Sequence, residues 1–514
     1  MASTTNHYDL IVLGSDIAGL VAAALVARRG RRVLVMPHGQ ADGVYRIGGY
    51  VLPLETAPVV HMPTPPVRRV FAELGLLQQV RRQHASIDGL LHYVLPGHRI
   101  DLEPEGGNLA DEAGREWPGT PVAEAWALQA RWSAATDEVL DQLLDSEKAL
   151  VAEGFWGRRA LSRVAAQLPA RQVDELEPLP SDHPMRAAAV AHLPWLQHVT
   201  PMQLGKAAAL RLCGLWNAGP EDLAQGERQL RKLLLQRIEL HSGEVKRDLR
   251  VGEVLVRRGR VVGASLLGKR DRYGCDHMIV ATDPRRLLDG TFLPESLPKA
   301  LATGLASITT IAHRYVMHVE IDERGLSPAL AGMIVCLPEA TPVVTDEGEA
   351  SWAEHGVGMT YIRVEPGSEE HLRRLSITRI VPAGTPLHDM REQILADLDE
   401  RGILPFCRPY VRFVHSPHDD REATNGSGEP LEHLGVGSAM ALPMTPLFGM
   451  HGEPVLGVGM LPHGSGLRAL HLASRLTLPG LGLEGEFAAG TAAAGLVANP
   501  AKTPFSRSPL LSRA

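Results

Sequence analysis

The fold of this chain is decided by the stretch YDLIVLGSDIAGLVAAALVARRGRRVLVM at residues 8–36. The apolar run Tyr8–Leu13 predicts a strand, and the run Ile17–Arg29, rich in alanine, leucine and valine, predicts a helix that ends at Gly30. A second apolar strand is predicted over Arg32–Met36. Neither strand alternates apolar and polar residues, which is typical of a parallel sheet covered on both faces. The stretch therefore predicts a βαβ unit within an α/β fold.

The turn after the first strand has the spacing of a dinucleotide-binding loop with one glycine replaced. The GxGxxG motif needs one glycine for a tight turn, one for close approach to a pyrophosphate and one for packing of helix on strand. Gly14 and Gly19 meet the first and third needs, whereas Asp16 places a carboxylate where phosphate oxygens would approach. Aspartate is also a strong helix N-cap, so we expect its carboxylate to accept a hydrogen bond from a backbone N–H of residues 17–19 in the protein without cofactor. Loss of such a cap costs about 1 kcal/mol.

The end of the second predicted strand departs from the same motif. Dinucleotide-binding folds have an acidic residue about 20 residues after the glycines, where it hydrogen-bonds a ribose hydroxyl. Here the run is RVLVMPH at residues 32–38, and Pro37 holds the acidic position. Proline offers neither a carboxylate nor an N–H. The βαβ unit therefore keeps its packing glycines but departs from the motif at two positions that face a dinucleotide.

Length, charge and cysteine spacing set broader limits. The chain has 514 residues, which is enough to fold around more than one core, and its formal net charge of −7 argues against a nucleic-acid partner. The four cysteines lie far apart without zinc-ligand spacing, so we predict free thiols and no metal site. No basic N-terminal region precedes an apolar run, and no apolar stretch is long enough to span a membrane. These features predict a cytoplasmic protein.

Three later runs follow the βαβ unit in a recognisable order. They are RVGEVLV at residues 250–256, MIVATDP at 278–284 and PGLGLEG at 479–485, which leads to an Ala-Gly pair at 489–490. Together with the N-terminal unit, they resemble the phytoene desaturase-like branch of the FAD-dependent amine oxidase superfamily over most of the chain. In that family the first run is an adenine-side strand, the second ends in an Asp-Pro turn, and the third opens a helix under the flavin.

The resemblance implies FAD as the cofactor and assigns residues to it. The pyrophosphate is expected near Gly14 and Ser15, the adenosine near Pro37 and Val251, and the flavin near residues 480–485. The full implied set is Gly14, Ser15, Asp16, Ala18, Gly19, Pro37, Arg46, Val251, Ala281, Ser474, Gly480, Gly482, Leu483 and Gly485.

Four departures from the family pattern lie at positions that face the dinucleotide. They are Asp16, Pro37, Pro53, where the family has an acidic residue, and Ser474, where it has glycine. We therefore expect FAD to be bound weakly or not at all. We also expect Asp16→Gly to tighten FAD binding, because it removes like-charge repulsion near the phosphates.

The predicted fold class is α/β, or α+β overall, with discontinuous domains. A Rossmann-like FAD/NAD(P)-binding domain is expected from residues 1–115, 222–300 and 466–498, with a helical cover at 116–221, a mixed-sheet substrate domain at 301–465 and a flexible tail at 499–514.

Two functional interpretations follow from the resemblance. The leading one is an FAD-dependent oxidoreductase, of the desaturase, saturase or isomerase type, that acts on a long apolar substrate such as an isoprenoid or carotenoid-like molecule. The flavin would carry its chemistry, and the sequence identifies no catalytic residue. The alternative is a non-catalytic relative, a pseudoenzyme that keeps the fold as a scaffold or binding module with weak or no flavin binding.

Two further segments bear on partners. Residues 154–164 pair aromatics with arginines, which predicts an amphipathic helix that either packs on the core or contacts the inner face of a membrane. The polar stretch 415–437 contains His415, His418 and Asp419, and we predict a solvated loop rather than a metal site. No feature of the sequence indicates an oligomeric state.

Overall fold

The computed structural model of the chain describes most of its residues. These are residues 6–37, 42–60, 62, 64–86, 91–145, 159, 162–169, 173–268, 271–287, 297–339, 343–345, 348–350, 356–434, 441–450 and 458–498. The predicted tail at 499–514 and most of the predicted segment at 154–164 lie outside them.

The elements are numbered in chain order. The strands are β1 (Asn6–Gly14), β2 (Val33–Met36), β3 (Val44–Ile47), β4 (Tyr50–Pro53), β5 (His84–Ser86), β6 (Leu91–Leu95), β7 (His98–Leu102), β8 (Glu221–Leu223), β9 (Glu244–Val245), β10 (Val251–Arg257), β11 (Arg260–Leu266), β12 (Arg272–Ala281), β13 (Ile308–Asp322), β14 (Met333–Cys336), β15 (Val343–Thr345), β16 (Gly348–Ala350), β17 (Thr360–Pro366), β18 (Leu372–Pro382), β19 (Val411–His415), β20 (Thr445–Met450) and β21 (Leu470–Leu472). The helices are α1 (Ile17–Arg28), α2 (Pro65–Glu73), α3 (Leu77–Gln83), α4 (Leu109–Glu116), α5 (Val122–Leu144), α6 (Pro184–Ala188), α7 (Leu193–Leu196), α8 (Lys206–Asn217), α9 (Gly226–Leu240), α10 (Lys299–Ala306), α11 (Met390–Glu400) and α12 (Gly482–Val497).

The first sheet contains both strands of the βαβ unit at its centre. Its order is β10-β11-β12-β1-β2-β9, and β21 also pairs with β12. β1 runs parallel to β2 and β12, with Leu13 opposite Met36 and Val280, and Gly14 opposite Ala281. The parallel centre and the helices around it confirm the predicted α/β fold class and its Rossmann-like domain.

The helix α1 is buried on all sides. Its residues from Ile17 to Ala27 are all buried, and the helix contacts the sheet, α9 and α12. At Gly490 of α12, a Cβ would lie 2.4 Å from the Ala18 carbonyl oxygen and 2.8 Å from the Val21 Cβ. The two helices are therefore too close for any side chain at this position.

The second sheet carries most of the middle of the chain. Its order is β19-β13-β18-β17-β14-β6-β7, with β20 on β13, and it is antiparallel except for the β14–β6 pair. The strands β6 and β7 belong to this sheet because their buried residues Tyr93 and Ile100 share one core with Tyr361 of β17. The change of sheet therefore precedes residue 91, whereas the predicted domain boundary is residue 115.

The helical cover is joined to α12 by a buried arginine. Arg211 of α8 donates two hydrogen bonds to Glu484, at 2.9 and 2.7 Å, and pairs with Asp137 of α5 at 2.9 Å and with Asp141 at 2.6 Å. The Glu484 side chain is completely buried. This cluster fixes α5 and α8 against the helix that packs on α1.

The polar stretch after β19 is buried at its start, so the predicted solvated loop is wrong there. His415 and His418 are buried, and the Asp419 side chain has no exposed surface. Asp419 accepts hydrogen bonds from Arg391 at 2.7 and 2.5 Å and from the Tyr315 hydroxyl at 2.8 Å. Charge pairing across distant elements, which the local composition does not indicate, places this stretch in the interior.

The contact between α1 and α12 generates the first prediction. We expect Gly490→Ala to lower the free energy of unfolding by about 2 kcal/mol, because the new methyl group overlaps the α1 backbone. The matched control is Gly114→Ala in the exposed part of α4, where nothing lies within 4 Å of the Cβ position. The free energy of unfolding of that variant should rise by about 0.5 to 1 kcal/mol, because alanine has a higher helix propensity than glycine. Urea unfolding of both variants measures the difference, and equal effects would contradict the close contact.

The Arg211 cluster generates a pH-dependent prediction. Burial raises the pKa of Asp137 to about 6, although Arg211 opposes the shift. The folded protein therefore binds this proton more tightly than the unfolded chain, and the associated stability is lost as the pH rises from about 4 to 6. An asparagine at this position cannot ionise. The free energy of unfolding of Asp137→Asn should therefore rise by about 1 to 2 kcal/mol relative to that of wild type across this pH window.

The measurement is the difference in urea midpoint between wild type and Asp137→Asn from pH 4 to pH 7. The control is Glu138→Gln, the next residue on α5, which is exposed. A difference that does not change with pH would contradict the buried acid at residue 137.

Candidate functional site

The turn Gly14–Gly19 lies at the carboxyl ends of β1 and β12, where dinucleotide-binding folds place their ligand. Gly14 has φ +106°, and a Cβ there would lie 2.1 Å from the Ala281 carbonyl oxygen. A Cβ on Gly19 would lie 2.0 Å from the Ala281 Cβ. The same carbonyl accepts a hydrogen bond from the Asp16 N–H at 2.9 Å. Packing of the chain on itself therefore explains both glycines.

Asp16 does not cap the first helix, so that prediction is wrong. It precedes α1 at the N-cap position, but its side chain makes no capping hydrogen bond. Its Oδ2 accepts a hydrogen bond from the Arg475 backbone N–H at 3.2 Å, and its Oδ1 lies 3.5 Å from the Arg475 Nε. The buried guanidinium of Arg475 draws the carboxylate away from the turn.

Glu486 of α12 takes the place that the prediction gave to Asp16. Its Oε2 accepts a hydrogen bond from the Ala18 N–H at 3.3 Å, and its Oε1 lies 3.1 Å from the His198 Nε2. Glu486 and Gly490 are four residues apart and therefore share one face of α12. The close approach at Gly490 thus brings the Glu486 carboxylate to the N-terminus of α1, where a helix favours an anion.

Arg475, one further arginine and one further carboxylate surround this contact. The Arg475 Nη1 lies 3.6 Å from the Glu55 Oε1, and the Arg314 Nη1 lies 3.9 Å from the Glu55 Oε2. The Arg314 guanidinium also donates to the Pro194 carbonyl at 3.0 and 3.1 Å. The side chains of Arg314 and Arg475 are only 3% and 16% exposed, so their charges are balanced within the protein.

Arg231 of α9 covers the backbone of the glycine turn. Its Nη1 donates to the Ser15 carbonyl at 2.5 Å, and its guanidinium pairs with Glu227 at 2.6 Å. A Cβ on Gly43 would lie 2.9 Å from the Arg231 Cδ. The Arg231 side chain therefore covers the loop that a pyrophosphate would have to approach.

Burial has the largest effect on the pKa values of the titratable groups at this site. These groups and the three arginines are called the salt-bridge cluster below. Burial raises the pKa of Asp16 and of Glu486, although Arg475 opposes both shifts. It lowers the pKa of His198 to about 3, so the imidazole is neutral and donates a hydrogen bond to Glu486. Burial alone would raise the pKa of Glu55, but two neighbouring arginines outweigh it and lower that pKa.

The C-terminal turn that was expected under a flavin is covered by protein. Gly482 has φ +52°, and a Cβ there would lie 1.9 Å from the Leu196 carbonyl oxygen. The start of this turn contacts the same neighbouring segment, because the His198 N–H donates a hydrogen bond to the Pro479 carbonyl at 3.0 Å. A Cβ on Gly485 would lie 2.1 Å from the Leu478 carbonyl oxygen. The glycines of this turn also serve contacts within the chain.

These residues do not fit FAD. The Ala18 N–H, which would receive a phosphate oxygen, is bonded to Glu486, and four carboxylates face three guanidinium groups around it. A pyrophosphate would add negative charge beside Asp16 and Glu486. The cavity that Glu55, His198 and Glu486 help to line has a volume of about 30 Å³, enough for about one water molecule.

The structure brings together some of the predicted cofactor residues and separates others. The turn residues, Ala281, and Leu483 at the small cavity lie at this site. Arg46 does not, because it points outward from β3 and pairs with Asp42 at 3.0 Å. Val251 begins the edge strand β10 and packs on the apolar cluster that contains Met36. Pro37, the residue after Met36, is buried. Two further predicted residues make local contacts: Ser474 accepts from the Leu476 N–H at 3.3 Å, and the Gly480 N–H donates to the Val458 carbonyl at 3.1 Å.

Charged residues that the sequence did not predict occupy the site, above all Glu486, Arg475 and Arg231. One signal was available for Glu486. The run GLEGEFAAGTAAAGLV is apolar on nearly every face, which is typical of a buried helix, so its two glutamates require buried partners. No local signal identifies Arg231, because α9 has several charged residues and only the fold selects the one that faces the turn.

Comparison with solved structures agrees with this architecture. Cyclohexylamine oxidase from Brevibacterium oxydans IH-35A matches with a TM-score of 0.54 at 16% identity, over 96% of this chain and 98% of that one. A double mutant of putrescine oxidase matches with a TM-score of 0.53 at 14% identity, over 96% and 99%. An oxidoreductase from Methanosarcina mazei matches with a TM-score of 0.53 at 14% identity, over 95% and 99%. No family model and no curated protein sequence matches the chain.

These likenesses show that the chain shares its fold with cyclohexylamine oxidase and putrescine oxidase. Membership of the FAD-dependent amine oxidase superfamily stays a prediction. The narrower phytoene desaturase-like branch stays a prediction. Among the described residues, no helix is both long and apolar enough to cross a membrane. The described residues also contain no group of three or more metal-ligating side chains suited to a metal ion.

The capping contact generates a local prediction. We expect Glu486→Ala to increase amide hydrogen exchange in the first turn of α1, because the Ala18 N–H loses its acceptor. Its free energy of unfolding should fall by about 3 kcal/mol, because His198 loses its partner as well.

Hydrogen exchange read by mass spectrometry on peptides that cover residues 15–24 tests this. Glu486→Gln keeps an acceptor oxygen and should exchange nearly as slowly as wild type. Asp16→Ala should leave the first turn protected, and faster exchange there in Asp16→Ala than in Glu486→Ala would restore Asp16 as the cap.

Proposed function

We propose that this chain is a non-catalytic member of the amine oxidase fold, in which a buried salt-bridge cluster takes the place of the dinucleotide. It keeps the two-sheet frame as a scaffold or binding module. The observation that carries this proposal is the hydrogen bond from the Ala18 N–H to the Glu486 carboxylate, at the helix terminus where a cofactor phosphate would bind.

The charge arrangement supports the proposal. The guanidinium groups that could attract a pyrophosphate are already paired, Arg475 with Asp16 and Glu55, and Arg231 with Glu227. A phosphate would have to displace a buried carboxylate from each pair. Removing one partner of a buried ion pair costs about 3 to 5 kcal/mol, so the cluster disfavours the cofactor energetically.

The packing supports the scaffold role. The glycines of both cofactor motifs lie against the chain itself, at Ala281, Leu196 and Leu478. These contacts hold the sheet, α1 and α12 together without a ligand. Two of the departures seen in the sequence, Asp16 and Ser474, likewise make contacts within the chain, with Arg475 and with the Leu476 N–H.

A second candidate function is an FAD-dependent oxidoreductase of the desaturase, saturase or isomerase type with a long apolar substrate such as an isoprenoid. The fold supports it, and so does an aromatic wall beside the site. Trp195 lines the small cavity and stacks on Tyr361 at 4.8 Å, and Trp216 lies 6.2 Å from Trp195. All three rings are buried, so an apolar substrate would contact them only after the small cavity opens. This function requires the salt-bridge cluster to open for the flavin.

The visible absorption spectrum of the purified protein, followed by titration with FAD, separates the two functions. We expect no flavin bands and no saturable FAD binding in wild type. Asp16→Gly alone should bind FAD little better than wild type, because Glu486 still accepts the hydrogen bond from the Ala18 N–H. Asp16→Gly combined with Glu486→Ala should bind FAD at least about tenfold more tightly than either single variant, because the freed Arg475 and the freed helix terminus both favour phosphate.

The control for charge removal is Glu138→Ala, on the exposed face of α5. Thermal unfolding of each variant verifies that the fold is kept. Wild-type protein that is isolated with bound flavin would overturn the proposal in favour of the oxidoreductase.

A further inference from the structure

A groove on the surface of α2 and α3 is separate from the dinucleotide site. Its volume is about 270 Å³, and among the described residues it is lined by Met62, Arg68, Phe71, Leu77, Val80, Arg81 and His84. The floor is apolar, because Phe71 and Val80 are buried and Phe71 packs edge-on against Phe487 of α12 at 5.5 Å. The rim is basic.

Within the described part of the chain, no acidic side chain pairs with either of the two rim arginines. Arg68 and Arg81 are exposed, and the described residues offer neither guanidinium a carboxylate or other hydrogen-bond partner. The neighbouring arginine on α2 differs, since Arg69 pairs with Asp145. The single acidic residue of residues 65–83, Glu73, is paired with Arg29 at 2.8 Å. The rim is therefore positive in a chain whose net charge is −7.

We propose that this groove binds a medium-chain fatty acid, with its carboxylate between Arg68 and Arg81 and its chain over Phe71, Leu77 and Val80. An apolar floor recognises methylene groups, and a paired arginine rim recognises a carboxylate. A cavity of about 150 Å³ holds a benzene molecule, so 270 Å³ accommodates a chain of about ten carbon atoms.

The size of the groove also argues against larger occupants. Sites for drug-sized ligands measure about 300 to 1,000 Å³, and this groove lies just below that range. His84 at its end pairs with Glu221 at 2.9 Å, so the basic character of the described lining comes from the two arginines. This site does not depend on the proposed function, because no groove residue belongs to the salt-bridge cluster.

Calorimetric titration with decanoate and with decanol tests the proposal. Both ligands should bind, and decanoate should bind about tenfold more tightly because it alone engages the arginines. Arg81→Gln and Arg68→Gln should each reduce decanoate affinity about three- to tenfold and leave decanol unchanged. Arg82→Gln is the matched control, since Arg82 is exposed beside Arg81 but does not line the groove. Leu77→Trp should weaken both ligands by filling the groove.

A chain-length series from hexanoate to tetradecanoate adds a second readout. Affinity should rise up to decanoate and then level off, because additional methylenes extend beyond the groove. Equal loss of decanoate binding in Arg81→Gln and Arg82→Gln, or no binding of either ligand, would overturn the proposal. So would binding only to vesicles that contain phosphatidylglycerol, with loss of that binding in the arginine variants, because the surface would then be a membrane contact.

Discussion

The close approach of α1 and α12 is the constraint on which the rest of the dinucleotide region depends. It requires glycine at residue 490, and helical geometry then places Glu486, one turn earlier, at the N-terminus of α1. Two residues before Glu486, on another face, Glu484 binds Arg211 and thereby holds the helical cover. A single helix thus positions both the charge at the glycine turn and the cover above it.

The glycine turn shows how a fold and its usual ligand can be separated. The architecture matches amine oxidases along almost the whole chain, yet the hydrogen-bond donor at the helix terminus is satisfied by a side chain of the protein. Fold similarity at 16% identity reports the arrangement of the elements, whereas ligand binding depends on a few side chains within it. In this chain those side chains are charged, buried and paired with each other.

The same helix connects the site with the surface groove. Glu486 faces the glycine turn, and the adjacent Phe487 packs against Phe71 at the floor of the groove. The contact runs through aromatic rings in a closely packed core, where small displacements are passed on to neighbours. The two regions therefore share a structural element even though they share no lining residue.

The sequence by itself determined the βαβ unit, the parallel centre of the first sheet and the burial of α1, because these follow from apolar runs and local glycine spacing. It also indicated that Asp16 and Pro37 are poor dinucleotide contacts. Only the tertiary structure decided that Glu486, rather than Asp16, binds the Ala18 N–H, and that Arg475 holds Asp16. Asp16 and Glu486 are 470 residues apart, so no local pattern relates them, and buried charges choose partners by proximity in space rather than along the chain. For the same reason, composition predicted a solvated loop at Asp419, whereas a distant arginine placed it in the interior.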